Sequence, residues 1–375
     1  MTQCAGPSHT FERARDPTTA AMKWEGGVAG MVLVALFVIS RLNSRTYVAI
    51  REIEDCAAKG WRSAPAGRRT FDAFNFNMEL DILEARLREL RGHVDSFVLV
   101  EAPWTCAGQR KPLHFEAAKA RFAEFPITHV VLPEPDVPAH FFPGTEAYNV
   151  YLRTLMRNGL HGGLARAGAR AGDLVIVSDL DEVPRRNVVA QLSRCEGYVT
   201  PVEVESDAYI YDFGCKEEHG AAWSAMRVLP FEQLDAECDG TWDGAWCMDE
   251  LRKSAESGYV RYRAAAGFPK SLVVHSGGVH MSYFLSTDLI MTKISSNSHA
   301  WKRDKPSINN RDHLECLISK CLHPNLRDHG TRHREEDPLV PIGADFAGYN
   351  SSNAGIREFF RRTIDWGACA ASGEA

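Results

Sequence analysis

Three carboxylates fall within four positions of the segment Gly172-Asp-Leu-Val-Ile-Val-Ser-Asp-Leu-Asp-Glu-Val-Pro184, directly after a short apolar run. Acids this close raise one another's pKa unless hydrogen bonds or a cation offset the charge, and hard divalent ions such as Mg2+ and Mn2+ prefer oxygen ligands. Asp179 and Asp181 therefore read as ligands for a metal that also holds a diphosphate. In an extended strand end these two side chains point one way while Leu180 and Glu182 point the other. A competing reading makes Asp181 the cap of a helix opened by Pro184 and running through Val188, Val189 and Leu192. The only basic residues near the acids in sequence are Arg185 and Arg186.

Other groups capable of chemistry are spread along the chain. His280 follows two glycines and is a candidate third metal ligand or phosphate contact; the alternative is a histidine packed at a strand end. Arg153, in Tyr-Leu-Arg-Thr, could reach a phosphate or an acidic partner from a helix, or be an ordinary solvated arginine. Lys293, Ser296 and His299 share one face of a helix beginning near Asp288, which presents a cation and two hydrogen-bonding groups together. His329 and His333 are four apart, but Gly330 and the arginines indicate a loop, and no glutamate follows the first histidine as a zinc-protease helix requires.

These residues need a scaffold. Leu174 to Val177 are aliphatic without alternation, as in a central parallel strand covered on both faces. Upstream, Leu80, Leu83, Leu87 and Leu90 recur at helical spacing, with Asn77 as N-cap and Gly92 past the end. A strand over 96–101, a polar loop to Lys111, a strand over 129–132 and a helix over 146–160 follow. This is the order of an α/β sheet, in which ligands collect at the carboxyl ends of strands. Glu101 and the acids at 179–182 thus face one crevice. Further strands are expected at 198–204 and 208–213, then a tryptophan- and glycine-rich region over 223–267. Finally, a strand from Leu272 enters a glycine turn bearing His275 and His280.

The chain has 375 residues and a net charge of −6, and its scattered basic residues give no support to nucleic-acid binding. The uncharged run over 26–40 predicts a transmembrane signal anchor at 24–42, with a cytosolic tail at 1–23 and a stem at 43–70. Ten cysteines suit an oxidising lumen. Cys316 with Cys321, and Cys238 with Cys247, are spaced to close local loops. Asn350-Ser351-Ser352 is an acceptor sequon for N-glycosylation.

Several separated motifs resemble glycosyltransferase family 17. They are Phe71-Asp-x-Phe-Asn-x-Asn-x-Glu-Leu-Asp81, Phe97-Val-Leu-Val-Glu101 with Thr105, Gly108 and Lys111-Pro-Leu-His-Phe115, Tyr151-Leu-Arg-Thr154, and Asp173 to Pro184. Gly277-Gly-Val-His280 resembles the family's Gly-Trp-His turn with valine in place of tryptophan, and 217–269 matches poorly. The resemblance implies an α/β, GT-A-like (Rossmann-like) nucleotide-sugar-binding domain with a mixed sheet over 71–350, a C-terminal tail over 351–375, and a single transmembrane helix before it.

It further implies a type II Golgi membrane protein. Such an enzyme transfers GlcNAc with inversion from UDP-GlcNAc to the core mannose of glycoprotein N-glycans, or to a related acceptor, with Mn2+ or Mg2+. On that reading Asp179, Asp181 and His280 hold the metal, Glu101 and Lys111 contact the nucleotide, and Arg153 and Lys293 support the diphosphate. The proton acceptor is a carboxylate, and Asp212 is the choice over Asp207 and Glu182. Two other classes stay open: a haloacid-dehalogenase-like phosphatase, which also uses Asp-x-Asp after a strand, and a non-catalytic membrane-anchored glycan-binding protein.

Overall fold

The computed structural model describes residues 45–216, 223–239, 247–252, 271–298, 300, 310–322 and 333–334. The expected tail, anchor and C-terminal tail, His299, His329 and Asn350 lie outside them. Among the described residues no helix is long and apolar enough to cross a membrane.

One mixed sheet organises the protein. Its strands are β1 (Arg45–Ala49), β3 (Thr70–Phe76), β4 (Ser96–Glu101), β5 (Ile127–Val131), β6 (Leu174–Asp179), β7 (Glu182–Pro184), β9 (Val202–Ile210), β10 (Asp212–Lys216), β11 (Trp223–Pro230), β12 (Ser271–Ser282) and β13 (His333–Arg334). A separate small ribbon pairs β2 (Arg62–Ser63) with β8 (Cys195–Glu196). The main order is β1-β12-β9-β11-β6-β3-β4-β5, with β10 beside β9, β13 beside β10, and β7 beside β12. Strands β6, β3, β4 and β5 are mutually parallel. On its other side β6 meets the antiparallel β11, so the sheet changes character at the strand that ends in Asp179.

Helices cover both faces. They are α1 (Leu80–Glu89), α2 (His114–Ala118), α3 (Glu146–Arg166), α4 (Arg186–Arg194), α5 (Phe231–Asp239), α6 (Cys247–Arg252), α7 (Thr287–Ser296) and α8 (Arg311–Ser319). Phe74, Ile176 and Val204 pack with Ile82 and Leu83 of α1 and Val188 and Leu192 of α4. Phe71, Val98, Val175 and Val177 pack with Leu160 and Leu164 of α3, Leu234 of α5 and Met248 of α6. Burial on two faces explains the unbroken apolar run of β6. Helix α3 presses on the sheet through Gly163, where an added Cβ would come within 2.7 Å of Val98 Cγ1.

Several expectations change. Helix α1 begins after Glu79 rather than Asn77, whose carbonyl accepts from Lys111 Nζ at 3.0 Å. Strand β3 occupies Thr70–Phe76, where no strand was expected, because its buried Asp72 masks the pattern. Residues 45–63, expected as stem, enter the folded unit: β1 lines up with β12, and Cys56 is bonded to Cys195 at the end of α4. Cys321 pairs with Cys215 rather than with nearby Cys316. Cys238 and Cys316 each take part in a disulfide of their own. The segment at 277–278 is an irregularity within β12, not a turn that ends it.

Candidate active site

Strand β6 stops at Asp179, the chain turns at Leu180 and Asp181, and β7 runs back along β12 with Glu182 opposite His280. The expected alternation of side chains in an extended strand end therefore does not apply. Geometry here is imposed by Arg86, a fully buried arginine on α1. Its guanidinium donates to both oxygens of Asp72 (2.7 and 2.6 Å) and to Ser178 Oγ (2.6 Å). It also donates to the carbonyls of Asp179 (3.0 Å), Leu180 (3.2 Å) and Glu182 (2.7 Å). Three carbonyls bent toward one cation define the turn. The signal for this residue was present in the sequence: Arg86 lies four positions after Ile82 and three after Leu83, on the apolar stripe. A charge on a buried stripe needs a partner.

The acids of the turn divide their work. Asp179 Oδ2 accepts from Arg157 Nη2 at 2.6 Å, and Asp179 also pairs with Arg252. Glu182, wholly buried, accepts from Arg252 Nη2 (2.8 and 2.6 Å), from Trp223 Nε1 (2.8 Å) and from the Asp179 amide (2.8 Å). Asp181 Oδ2 accepts from Lys293 Nζ at 2.9 Å, and that lysine also reaches Glu79 at 3.0 Å. The basic partners thus come from α3, α6 and α7, not from Arg185 and Arg186. Helix α4 starts at Arg186 behind an N-cap Arg185 without a side-chain cap, so the capping role for Asp181 is excluded.

Burial drives the Asp179 carboxyl up, but Arg157 and Arg252 outweigh it and hold the group well below the usual carboxylate range. Burial acts likewise on Asp181, and Lys293, followed by His280, brings it down. Lys293 is disfavoured as a cation by burial, yet Asp181 and Glu79 push its pKa above the ordinary lysine value. All three groups are charged at neutral pH.

A divalent ion fits one part of this arrangement. Asp181 Oδ1 and His280 Nε2 stand 3.9 Å apart, too far for a hydrogen bond and wide enough for two bonds of about 2.1 Å. His280 Nε2 also lies 3.2 Å from Ser282 Oγ. Asp179 fits less well, since both its oxygens are engaged by arginines. Among the described residues no three His, Cys, Asp or Glu side chains converge as a complete metal cage. A two-donor site finished by substrate phosphates and water is usual for hard ions.

The remaining expected residues make other contacts. Glu101 is fully buried, accepting from the Phe115 amide (3.1 Å), from His129 Nε2 (3.1 Å) and from Lys111 Nζ (3.5 Å). With no exposed surface it ties the loop to the sheet, at a position where the resemblance implies a nucleotide contact. Lys111 is nearly as enclosed. Arg153 reaches Ser298 Oγ at 3.5 Å, while Arg157, one helical turn further along α3, grips Asp179. Asp212 opens β10 and accepts from the Gly214 amide at 2.7 Å. Asp207 pairs with Arg185 at 3.1 Å. His275 pairs with Glu205 and stacks on Tyr47 at 4.5 Å.

Comparison with known proteins gives this geometry its context. The model for glycosyltransferase family 17 matches residues 42–236, just over half of the chain. The chain is 29% identical over 199 residues to the β-1,4-mannosyl-glycoprotein 4-β-N-acetylglucosaminyltransferases of Rattus norvegicus and Homo sapiens, over 52% of this chain and 33% and 34% of theirs. The Mus musculus protein of that name is similar to the same degree. The match therefore spans about a third of the length of these relatives. The family-model match contains Arg86, Arg157 and the acids at 179–182, and ends before Arg252, His280 and Lys293. The chain belongs to glycosyltransferase family 17.

Proposed function

We propose that this protein transfers N-acetylglucosamine from UDP-GlcNAc, with inversion, to the β-linked core mannose of glycoprotein N-glycans or a related acceptor. The observation that carries the proposal is Asp181, partly exposed at the end of a buried strand and flanked by Lys293 at 2.9 Å and His280 at 3.9 Å. The named relatives supply the sugar and acceptor class.

In a single displacement the acceptor hydroxyl oxygen bonds to the sugar C1 as the bond from C1 to the UDP β-phosphate oxygen breaks. The hydroxyl proton passes to a carboxylate, for which Asp212, the first residue of β10, is our choice. Glu182 is unsuited, being buried against Arg252. Lys293, Arg157 and Arg252 supply positive charge where the diphosphate departs, and Arg153 extends that line along α3. Mn2+ or Mg2+, held by Asp181 and His280, would supply Lewis-acid stabilisation of the leaving group. Asp179 would orient Arg157 and Arg252. The hydrophobic segment at 24–42 would anchor the protein as a type II Golgi membrane protein with its catalytic domain in the lumen.

The test incubates the full-length protein with a panel of UDP-sugars, Mn2+ and N-glycan acceptors, with product mass read by spectrometry. A gain of one N-acetylhexosamine from UDP-GlcNAc is expected. Phosphate release without sugar transfer, or glycan binding with no transfer from any UDP-sugar, overturns the proposal.

A further inference from the structure

Beside the acids of the turn stands an exposed aromatic plane that the proposed chemistry does not use. Trp223, the first residue of β11, is 42% exposed although it is held from two directions. Its indole stacks on the His280 ring with centroids 4.3 Å apart and planes 19° from parallel. Its Nε1 donates to Glu182 Oε1 at 2.8 Å, and Glu182 is fixed in turn by Arg252. A tryptophan left in water on one side loses the benefit of burying a large apolar surface. Here it is also rigid, so little conformational freedom remains to be lost when something covers it.

Its place in the sheet narrows what that something is. The parallel half, β6-β3-β4-β5 with its crossover helices, has the topology that collects nucleotides at strand ends. Trp223 is on the other side of Asp179 and Asp181 from that half, on the antiparallel β11. A plane there borders the sugar side of the turn rather than the base side. Pyranose rings present a face of C–H groups that packs on an indole, while their hydroxyls bond to polar groups at its rim. Ser282, whose Oγ lies 3.2 Å from His280 Nε2, is such a group beside the stacked pair.

We propose that Trp223, backed by His280, is a stacking platform for a pyranose ring of the acceptor oligosaccharide. The inference rests on the glycosyl-transfer reading above and names the side of the site where the acceptor lies. The platform sets affinity and orientation of the acceptor and leaves the base and ribose of the nucleotide to the parallel half of the sheet.

The test uses the full-length protein and a β-mannosyl chitobiose glycopeptide as probe, with UDP-GlcNAc titrated separately. Trp223→Ala should raise the acceptor KM about 10-fold or more while the UDP-GlcNAc KM stays within about 2-fold. Trp223→Tyr, which keeps a ring, should recover most of the acceptor affinity. Saturation-transfer NMR on the wild-type protein without donor should show magnetisation passing from aromatic protons to the pyranose C–H groups, and needs no variant to fold. An unchanged acceptor KM in folded variants, a rise confined to the UDP-GlcNAc KM, or a fall in kcat alone overturns the proposal; the last would mean that Trp223 only steadies Glu182. Transfer failing with every UDP-sugar while the glycopeptide still binds through Trp223 would defeat the transfer reading and leave the platform standing.

Discussion

Two carboxylates of this protein carry the same retinue and do different things. Glu101, at the end of β4, has a lysine at 3.5 Å and a histidine at 3.1 Å; Asp181, in the turn after β6, has a lysine at 2.9 Å and a histidine at 3.9 Å. Glu101 is sealed, with the Phe115 amide adding a bond to one oxygen and no surface left exposed. Asp181 retains 16% of its side-chain surface, and its Oδ1 faces His280 without a hydrogen bond. A carboxylate with every lone pair claimed inside the protein holds structure together. One whose second oxygen faces an open gap can still accept something. Residue types alone do not separate the two cases, because the distinction lies in how completely the neighbours close.

That comparison can be broken from beneath through Arg86. Arg86→Met removes the cation shared by Asp72 and the turn carbonyls, leaving Asp72 buried and uncompensated, and should cost about 3–5 kcal/mol in stability by denaturant titration. Arg86→Lys should recover only part, because a lysine cannot reproduce the forked geometry. A loss below about 1 kcal/mol would mean that the turn is held by other contacts.

The next effect is on rate. Asp181→Asn should lower kcat/KM by about 10²-fold or more, roughly 3 kcal/mol of transition-state stabilisation, with a normal melting temperature. Asp179→Asn should also lose rate, but its half-maximal Mn2+ concentration should stay near that of the wild type, since Asp179 orients arginines. His280→Ala should raise that Mn2+ concentration by about 10-fold or more. An equal metal shift for Asp179→Asn and Asp181→Asn would return both acids to the metal.

Glu101→Gln should show the reverse pattern: a stability loss of about 1–3 kcal/mol with kcat/KM of the folded enzyme nearly unchanged. A large rate loss at normal stability would erase the difference between the two carboxylates.

The smallest effect is one of pH. Burial raises the Glu101 pKa, but His129, the Phe115 amide and Lys111 bring it below the ordinary glutamate value in the folded state. Its stabilisation is therefore complete above the unfolded-state pKa and fades as pH falls through the lower folded value. The acid limb of a stability profile should be shallower in Glu101→Gln. An identical limb in both proteins would show that Glu101 binds protons alike folded and unfolded.

Much of this was legible without coordinates. The apolar run of 174–177 became a central strand, 96–101 became β4 as read, and the helix at 146–160 is the first part of α3. Such features are local, fixed by side-chain period and by which residues tolerate burial. Strand β3 escaped because Asp72 interrupts its apolar pattern, and Asp72 is tolerable only with Arg86 fourteen residues away. Arg153 and Arg157 lie on one helical face, and only the height of α3 above the sheet decides that Arg157 is the one that grips Asp179.

The sequence by itself determined that carboxylates would stand at the end of a buried strand, since an apolar run must be covered and the acids beyond it cannot be. Tertiary structure alone decided what each acid does. Arg157, Arg252 and Lys293 reach the turn from separate helices, the first of them 22 residues away in sequence and the last 112. Charge pairing falls off over a few ångströms, whereas separation along the chain carries almost no information about distance in the fold. Only the packing of α3, α6 and α7 onto the sheet could therefore leave Asp179 clasped, Glu182 sealed and one oxygen of Asp181 open.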